Sequence, residues 1–478
     1  MIERITGLKL NKGFFIGTAV IVLGALAVEF YADKQGLSYK DIIVVLGALI
    51  AAVIIFGGER GIKFGLVLWV LTLALGYRTI ELTPNLRLHP SEILIWLLLG
   101  CILVQRQLAA KSPVSLPWWL WLLIPFWAFA WWPLVVGDAP WDKMLNEFRD
   151  FLLLVPVMIV ASFVLRRDGY WRPLLLAFFI TSTWIAFMGV VEYWFPGVEK
   201  LFPAFIHAAK PELTAEGFVR AQFSFWGGSQ ATFICVLALP GALILLTWWP
   251  RWLPRMAIAA AAVFQLLAIY IGGYRSIWLV LVIQVLIACA LRLKKHGLAM
   301  AALCLLVAVG GYQFIPRTDE RVITGIAALK GDPIDHSSQD RKDRALGALS
   351  DTVESPFGSG WSSAGWVHSD FLQVAANLGI LAGLIFVGGY LYTLLRLTRR
   401  TLERLHTSEG DLVLTLLLSF VGAGGLLAMQ GVEVLPQMVL PVWFVWSLVD
   451  IRLRQTSEAR ELSYSYVPTN LYPAADFQ

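Results

Sequence analysis

Apolar runs recur along this chain from one end to the other, and they restrict what it can fold into. They lie near residues 13–31, 41–56, 62–77, 91–105, 116–137, 150–165, 173–195, 229–249, 253–272, 275–292, 297–314, 372–395, 411–430 and 434–450. Hydrocarbon offers no water to a backbone polar group. A spanning segment must therefore close its own hydrogen bonds, as a helix of roughly 17–25 residues does. The pattern predicts an all-α, polytopic helical membrane protein of about fourteen transmembrane helices. With 58% hydrophobic and 15% charged residues, the composition lies far from that of a soluble domain. The first run continues past signal-peptide length into Glu29-Phe30-Tyr31 with no small-residue cleavage site, and reads as an uncleaved first helix. Aromatic pairs such as Trp118-Trp119, Trp131-Trp132 and Trp248-Trp249 fall at run ends, where amphipathic rings suit the headgroup layer.

Basic residues set the orientation. Alternate connections carry Arg4, Lys9 and Lys12; Arg60 and Lys63; Arg106 and Lys111; Arg166, Arg167 and Arg172; Arg251 and Arg255; Arg292, Lys294 and Lys295; Arg396, Arg399, Arg400 and Arg404; and Arg452, Arg454 and Arg460. These short, basic segments read as cytoplasmic, with both termini on that side. The intervening segments 196–228 and 315–371 are long, mixed in sign and external. The membrane domain covers 1–454, and the polar tail 455–478 lacks periodicity and reads as a disordered cytoplasmic end.

The second external segment predicts a short amphipathic helix over Ser338 to Val353, with Leu346, Leu349 and Val353 on one face. Arg341, Ala345 and Ala348 follow helical spacing on another. Ser355-Pro356 ends that helix, and Gly358-Ser359-Gly360 permits a tight turn.

Composition excludes several classes. Cys101, Cys235, Cys289 and Cys304 all lie in apolar runs without a CxxC, giving neither a disulfide framework nor a zinc site. Basic residues follow topology rather than massing into a patch, so nucleic acid has no support as a partner. There is no Walker-type Gly-Lys-Ser/Thr and no dinucleotide fingerprint. Asp332, Asp335, Asp340 and Asp343 cluster, but basic residues interleave from Arg341 on, and no acid pair follows the first helix. Metal-free chemistry is favoured.

What remains is a set of external cations beside a histidine. Arg220 stands ahead of one apolar run, Arg275 opens another, and Arg341 sits on the amphipathic helix. A guanidinium grips phosphate oxygens bidentately and stays charged at any relevant pH. Together the three could hold a diphosphate headgroup; each alone could instead be a snorkelling interface residue. Arg344, one turn away, competes for the role of Arg341. His368 follows the glycine-rich turn, just ahead of a membrane run, and could take a proton from an acceptor hydroxyl. Asp370 either orients that imidazole or caps the helix starting there.

In order and spacing these stretches resemble the O-antigen ligase and O-antigen polymerase superfamily of bacterial envelope enzymes. Phe218-Val219-Arg220-Ala221-Gln222-Phe223-Ser224-Phe225 is similar to its first arginine segment, and Gly272-Gly273-Tyr274-Arg275-Ser276 to its short Arg loop. Arg341 with Ala348, Pro356-Phe357-Gly358-Ser359-Gly360 and His368-Ser369-Asp370-Phe371-Leu372-Gln373 resemble its long periplasmic loop. An Asn usually follows that histidine, where this chain has Ser369. The likeness covers roughly residues 130–450.

The resemblance implies a GT-C-like glycosyltransferase in the bacterial inner membrane, acting at the periplasmic face without metal, nucleotide or other cofactor. Its donor would be an undecaprenyl-diphosphate-linked glycan, and its acceptor lipid A-core for a ligase or another lipid-linked repeat unit for a polymerase. Arg220, Arg275 and Arg341 would neutralise the leaving diphosphate, and His368 would be the catalytic base, with inversion. The alternative, a lipid-linked oligosaccharide flippase, needs polar residues lining a path at mid-membrane; here they gather on one external face.

Overall fold

The computed structural model describes residues 50–75, 80–83, 86–109, 116–133, 141–165, 170–195, 228–292, 302, 336–363, 365, 367–407, 409–429 and 436–465. The expected run at 13–31, nearly all of that at 297–314, and Arg220 with most of the 196–228 loop lie outside them. So does the loop from 315 to 335.

The helices are α1 (Gly58–Thr72), α2 (Pro90–Ala109), α3 (Trp118–Phe129), α4 (Trp141–Leu152), α5 (Leu154–Leu165), α6 (Trp171–Trp194) and α7 (Gly228–Ala238). They continue as α8 (Gly241–Trp248), α9 (Trp252–Gly272), α10 (Arg275–Arg292), α11 (His336–Glu354), α12 (Asp370–Leu378), α13 (Ile380–Arg404), α14 (Gly410–Met429) and α15 (Pro436–Ser465). One feature departs from the all-α expectation. Strands β1 (Ile80–Thr83) and β2 (Leu86–Leu88) pair antiparallel between α1 and α2, with the turn-forming residues Pro84-Asn85 between them in sequence.

Among the described residues, five helical segments are long and apolar enough to cross a membrane: Trp141–Leu165, Trp171–Trp194, Trp252–Gly272, Ile380–Arg404 and Gly410–Met429. The bent pair Gln230–Ala238 and Gly241–Trp248 would make a sixth. The chain has the build of a multi-pass helical membrane protein.

Several expected spans are broken, each for a local reason. Pro240 has no N–H to donate, and the helix bends by 43° there. Pro156 likewise cannot bond the carbonyl of Leu152, and α4 gives way to α5 at Leu153. The span containing 150–165 therefore starts at Trp141 and takes in the charged stretch Asp142 to Asp150. The run expected at 372–395 divides at Gly379, whose φ of +97° suits glycine alone. The membrane helix after His368 consequently begins at Ile380, and α12 is a separate helix in front of it. At the other end of the chain, α15 continues to Ser465, so the first part of the expected disordered tail is helical.

α15 runs through the centre. Its stretch from Val439 to Val449 is buried on every side, packed against α4, α5, α7, α13 and α14. A helix apolar all round belongs in a core. Trp443 and Trp446 anchor an aromatic cluster with Trp119, Phe151, Phe386, Tyr390 and Phe420. Tyr390 stacks on Phe420, ring centroids 4.8 Å apart, and donates its hydroxyl to the Phe420 carbonyl at 3.2 Å.

That contact requires a glycine. A Cβ at Gly424 would overlap the Tyr390 hydroxyl and ring, whereas one at Gly388 on the outer side of α13 meets nothing within 4 Å. Gly424→Ala should destabilise the protein by about 1–3 kcal/mol through overpacking, and Gly388→Ala should be neutral or stabilising by up to about 1 kcal/mol. Thermal unfolding of both variants in detergent checks the pair, and equal effects would refute the packing described.

Candidate functional site

The packing registers bring three stretches to one end of the bundle. α13 and α14 form an antiparallel hairpin, so the start of α13 and the end of α14 lie together. α10 lies antiparallel to α14: Val280 meets Gly425, and Gln284 donates to the Leu418 carbonyl at 2.8 Å. Arg275, first residue of α10, is thereby carried to the Met429 end of α14, the end at which α12 finishes and α13 begins. α7 starts there too, since Thr232 packs against Gly272 while Gln284 donates to the Val236 carbonyl at 3.1 Å. Arg220 precedes Gly228 by eight residues in sequence and lies outside the described residues.

The turn that places Arg275 is set by its neighbours. Gly272 abuts Thr232 too closely for a side chain, and Gly273 ends α9 with φ of +67°. Across the turn, Trp278 stacks on Tyr270 and donates its indole N–H to the Ile269 carbonyl at 3.0 Å. Arg275 is half-buried at this corner.

His368 is held by α11, α12 and the turn between them. The expected helix over 338–353 is observed as α11, and its Ala348 is buried with Val367 and Ala376. Gly358, with φ of +90°, lies so close to the Asn377 carbonyl that a Cβ would be 2.5 Å from it. Ser359 N and Gly360 N donate to the carbonyls of Ala376 and Asn377 at 3.2 and 2.9 Å. Trp361 is buried against Phe148 and Phe151. The glycine-rich turn thus grips the end of α12 and leaves His368 half-buried beside α11.

Burial first, then the charges of Arg341 and Arg344, pull the His368 pKa down from its ordinary 6.5 to about 4, with Asp340 opposing. The imidazole is neutral at pH 7 and able to accept a proton. Arg341 is half-buried; Arg344 is exposed and pairs with Asp340 at 3.0 Å, so of the two Arg341 is better placed to serve a ligand. The N-cap of α12 is Ser369, in extended conformation, so Asp370 is the first helical residue rather than the cap. It is fully buried, and its carboxylate suits the positive end of the helix dipole.

Sequence reasoning missed Glu147. On α4, 6% exposed, it accepts hydrogen bonds from the side-chain amides of Gln373, at 2.8 Å, and Asn377. Gln373 in turn accepts from the backbone N–H of Val367 at 3.1 Å, the residue before His368. A chain of polar contacts therefore runs from the membrane-spanning bundle to the backbone that carries the imidazole. Two residues on, Arg149 pairs with Glu92 of α2 at 3.0 Å and with Asp150 at 3.4 Å. The signal was present: a carboxylate, a guanidinium and a second carboxylate where an amphipathic segment runs into an apolar one.

Chemically, the arrangement offers a base, with arginines on two elements at the same end as it. Among the described residues no three His, Cys, Asp or Glu side chains converge to hold a metal ion. No protein-family model matches the chain, and no curated protein is similar to it.

Glu147→Ala leaves two buried amide donors without their acceptor, at an expected cost of about 1–3 kcal/mol. It should also release Val367, so amide hydrogen exchange across 367–378 should accelerate while α14 stays protected. Unchanged exchange at Val367 would show that Glu147 does not hold this segment.

Proposed function

We propose that this chain is a glycosyltransferase of the O-antigen ligase or polymerase type, with about fourteen membrane helices in a GT-C-like arrangement. It takes an undecaprenyl-diphosphate-linked glycan as donor and transfers it to a hydroxyl of lipid A-core or of another lipid-linked glycan. The observation that carries this reading is a neutral imidazole held beside Arg341, at the bundle end where Arg275 opens α10.

In the proposed step, His368 takes the proton of the acceptor hydroxyl as its oxygen bonds to the anomeric carbon. The bond from that carbon to the diphosphate oxygen breaks, its electron pair leaving with the diphosphate. Arg341 and Arg275, joined by Arg220, neutralise the charge that develops there, which is worth most in a site shielded from water. Attack opposite the leaving group inverts the anomeric centre. No metal, nucleotide or other cofactor enters the step.

The arginine distribution supports a periplasmic site in the inner membrane with cytoplasmic termini. Arg251, Arg255, Arg396, Arg399, Arg400, Arg404, Arg452 and Arg454 gather at the start of α9, the end of α13 and the middle of α15 beyond its buried stretch, opposite the His368 end.

The pH dependence tests the base. His368→Ala should lower turnover by about 10²–10⁴-fold while leaving donor binding intact. Activity requires the neutral imidazole, so it is present above the pKa and lost as pH falls through it. For the free enzyme, kcat/KM should hold at mildly acidic pH and fall only near pH 4. A bound diphosphate offsets the arginine charges and raises that pKa, so the acid limb of kcat should lie higher than that of kcat/KM. Near-normal turnover in His368→Ala, or the same acid limb in that variant, would overturn the assignment.

A further inference from the structure

α11 uses one face against α12, where Ala348 and Thr352 are buried, and turns a second face outward. That outward face is not polar. Leu346 is 54% exposed, Leu349 47% and Val353 75%, and Phe357, just past the helix, is 83% exposed. Gly347, Ser350, Asp351 and Glu354 occupy the remaining exposed side. An apolar stripe beside a polar one, both uncovered, is the pattern of a helix lying at a water–apolar boundary.

What meets the stripe follows from its continuation. The Pro356 carbonyl accepts from Ile380 N at 3.0 Å, which sets Phe357 beside the first turn of α13. There Ile380, Leu381 and Leu384 are exposed as well, and α13 is long and apolar enough to cross a membrane. The exposed apolar side of a spanning helix faces lipid. Through Phe357, the stripe on α11 thus adjoins the lipid-facing surface of α13 at the start of that span.

We propose that α11 lies in the headgroup layer, with Leu346, Leu349, Val353 and Phe357 sunk among the acyl chains of a phospholipid leaflet and Asp351 and Glu354 in water. The binding surface is the membrane itself. It fixes the height of His368 and Arg341 relative to that surface, but it does not depend on any transfer activity.

Nitroxide labels at Leu349→Cys and Val353→Cys, compared with Gly347→Cys and Asp351→Cys, test this. The full-length chain would carry alanine at Cys101, Cys235, Cys289 and Cys304 and sit in nanodiscs of phosphatidylethanolamine and phosphatidylglycerol. All four label positions are exposed, and a Cβ at Gly347 meets nothing within 4 Å. Collisions with oxygen relative to a water-soluble nickel chelate should be several-fold higher at 349 and 353 than at 347 and 351. Equal access of the chelate to all four would place the stripe in water and overturn the proposal. So would low access of both reagents at 349 and 353, which means protein covers it; dipolar broadening between labels would then identify a second copy.

Discussion

The buried carboxylate of Glu147 adds hydrogen bonds to the apolar packing that joins the transmembrane core to the segment carrying His368. Below it, α4 continues into α5 and the aromatic centre around Trp443. Above it, α12 and the turn before it place Trp361, Phe371, Val374 and Leu378 against the same core. Two amides from α12 converge on Glu147, and one of them reaches the backbone next to His368. Losing such an acceptor leaves buried donors stranded. The position of the imidazole is therefore tied to the transmembrane core through polar contacts.

Helix breaks serve the same end of the molecule. The division at Gly379 turns what would be one long span into a short helix packed beneath the loop and a second helix entering the membrane. The division at Leu153 lets α4 carry charged residues while α5 carries none. The glycine pair before Arg275 lets α9 and α10 reverse within two residues, so that an arginine opens a helix at the same end. Each break costs backbone hydrogen bonds in the helices, and each coincides with a residue of the proposed site or its support.

Much of this was legible in sequence. The apolar runs anticipated the long helices, and helical spacing anticipated the two faces of α11, but not that the Ala348 face would be the buried one and the leucines exposed. The proline and glycines after it marked the turn. Other features were hidden for physical reasons. Gln373 and Asn377 read as polar interruptions of a membrane run, because their acceptor lies 226 and 230 residues away in the chain. Glu147 falls between the expected runs at 116–137 and 150–165, since hydropathy cannot tell a buried, hydrogen-bonded carboxyl group from an exposed one. The lowered pKa of His368 depends on burial and on two arginines of another element, which spacing alone does not reveal. The β1–β2 hairpin is too short for a periodic signal.

The proposed reaction breaks a glycosyl–diphosphate bond, where a flippase would move the lipid-linked glycan intact. Mass spectrometry of the lipid products is its most direct test, on purified protein in liposomes with lipid-linked donor, acceptor and a chelator. The proposed reaction releases undecaprenyl diphosphate in step with glycan appearing on the acceptor hydroxyl. Recovery of the donor intact, merely relocated to the other leaflet, would contradict it and make the protein a transporter; product formation abolished by the chelator would contradict the metal-free step.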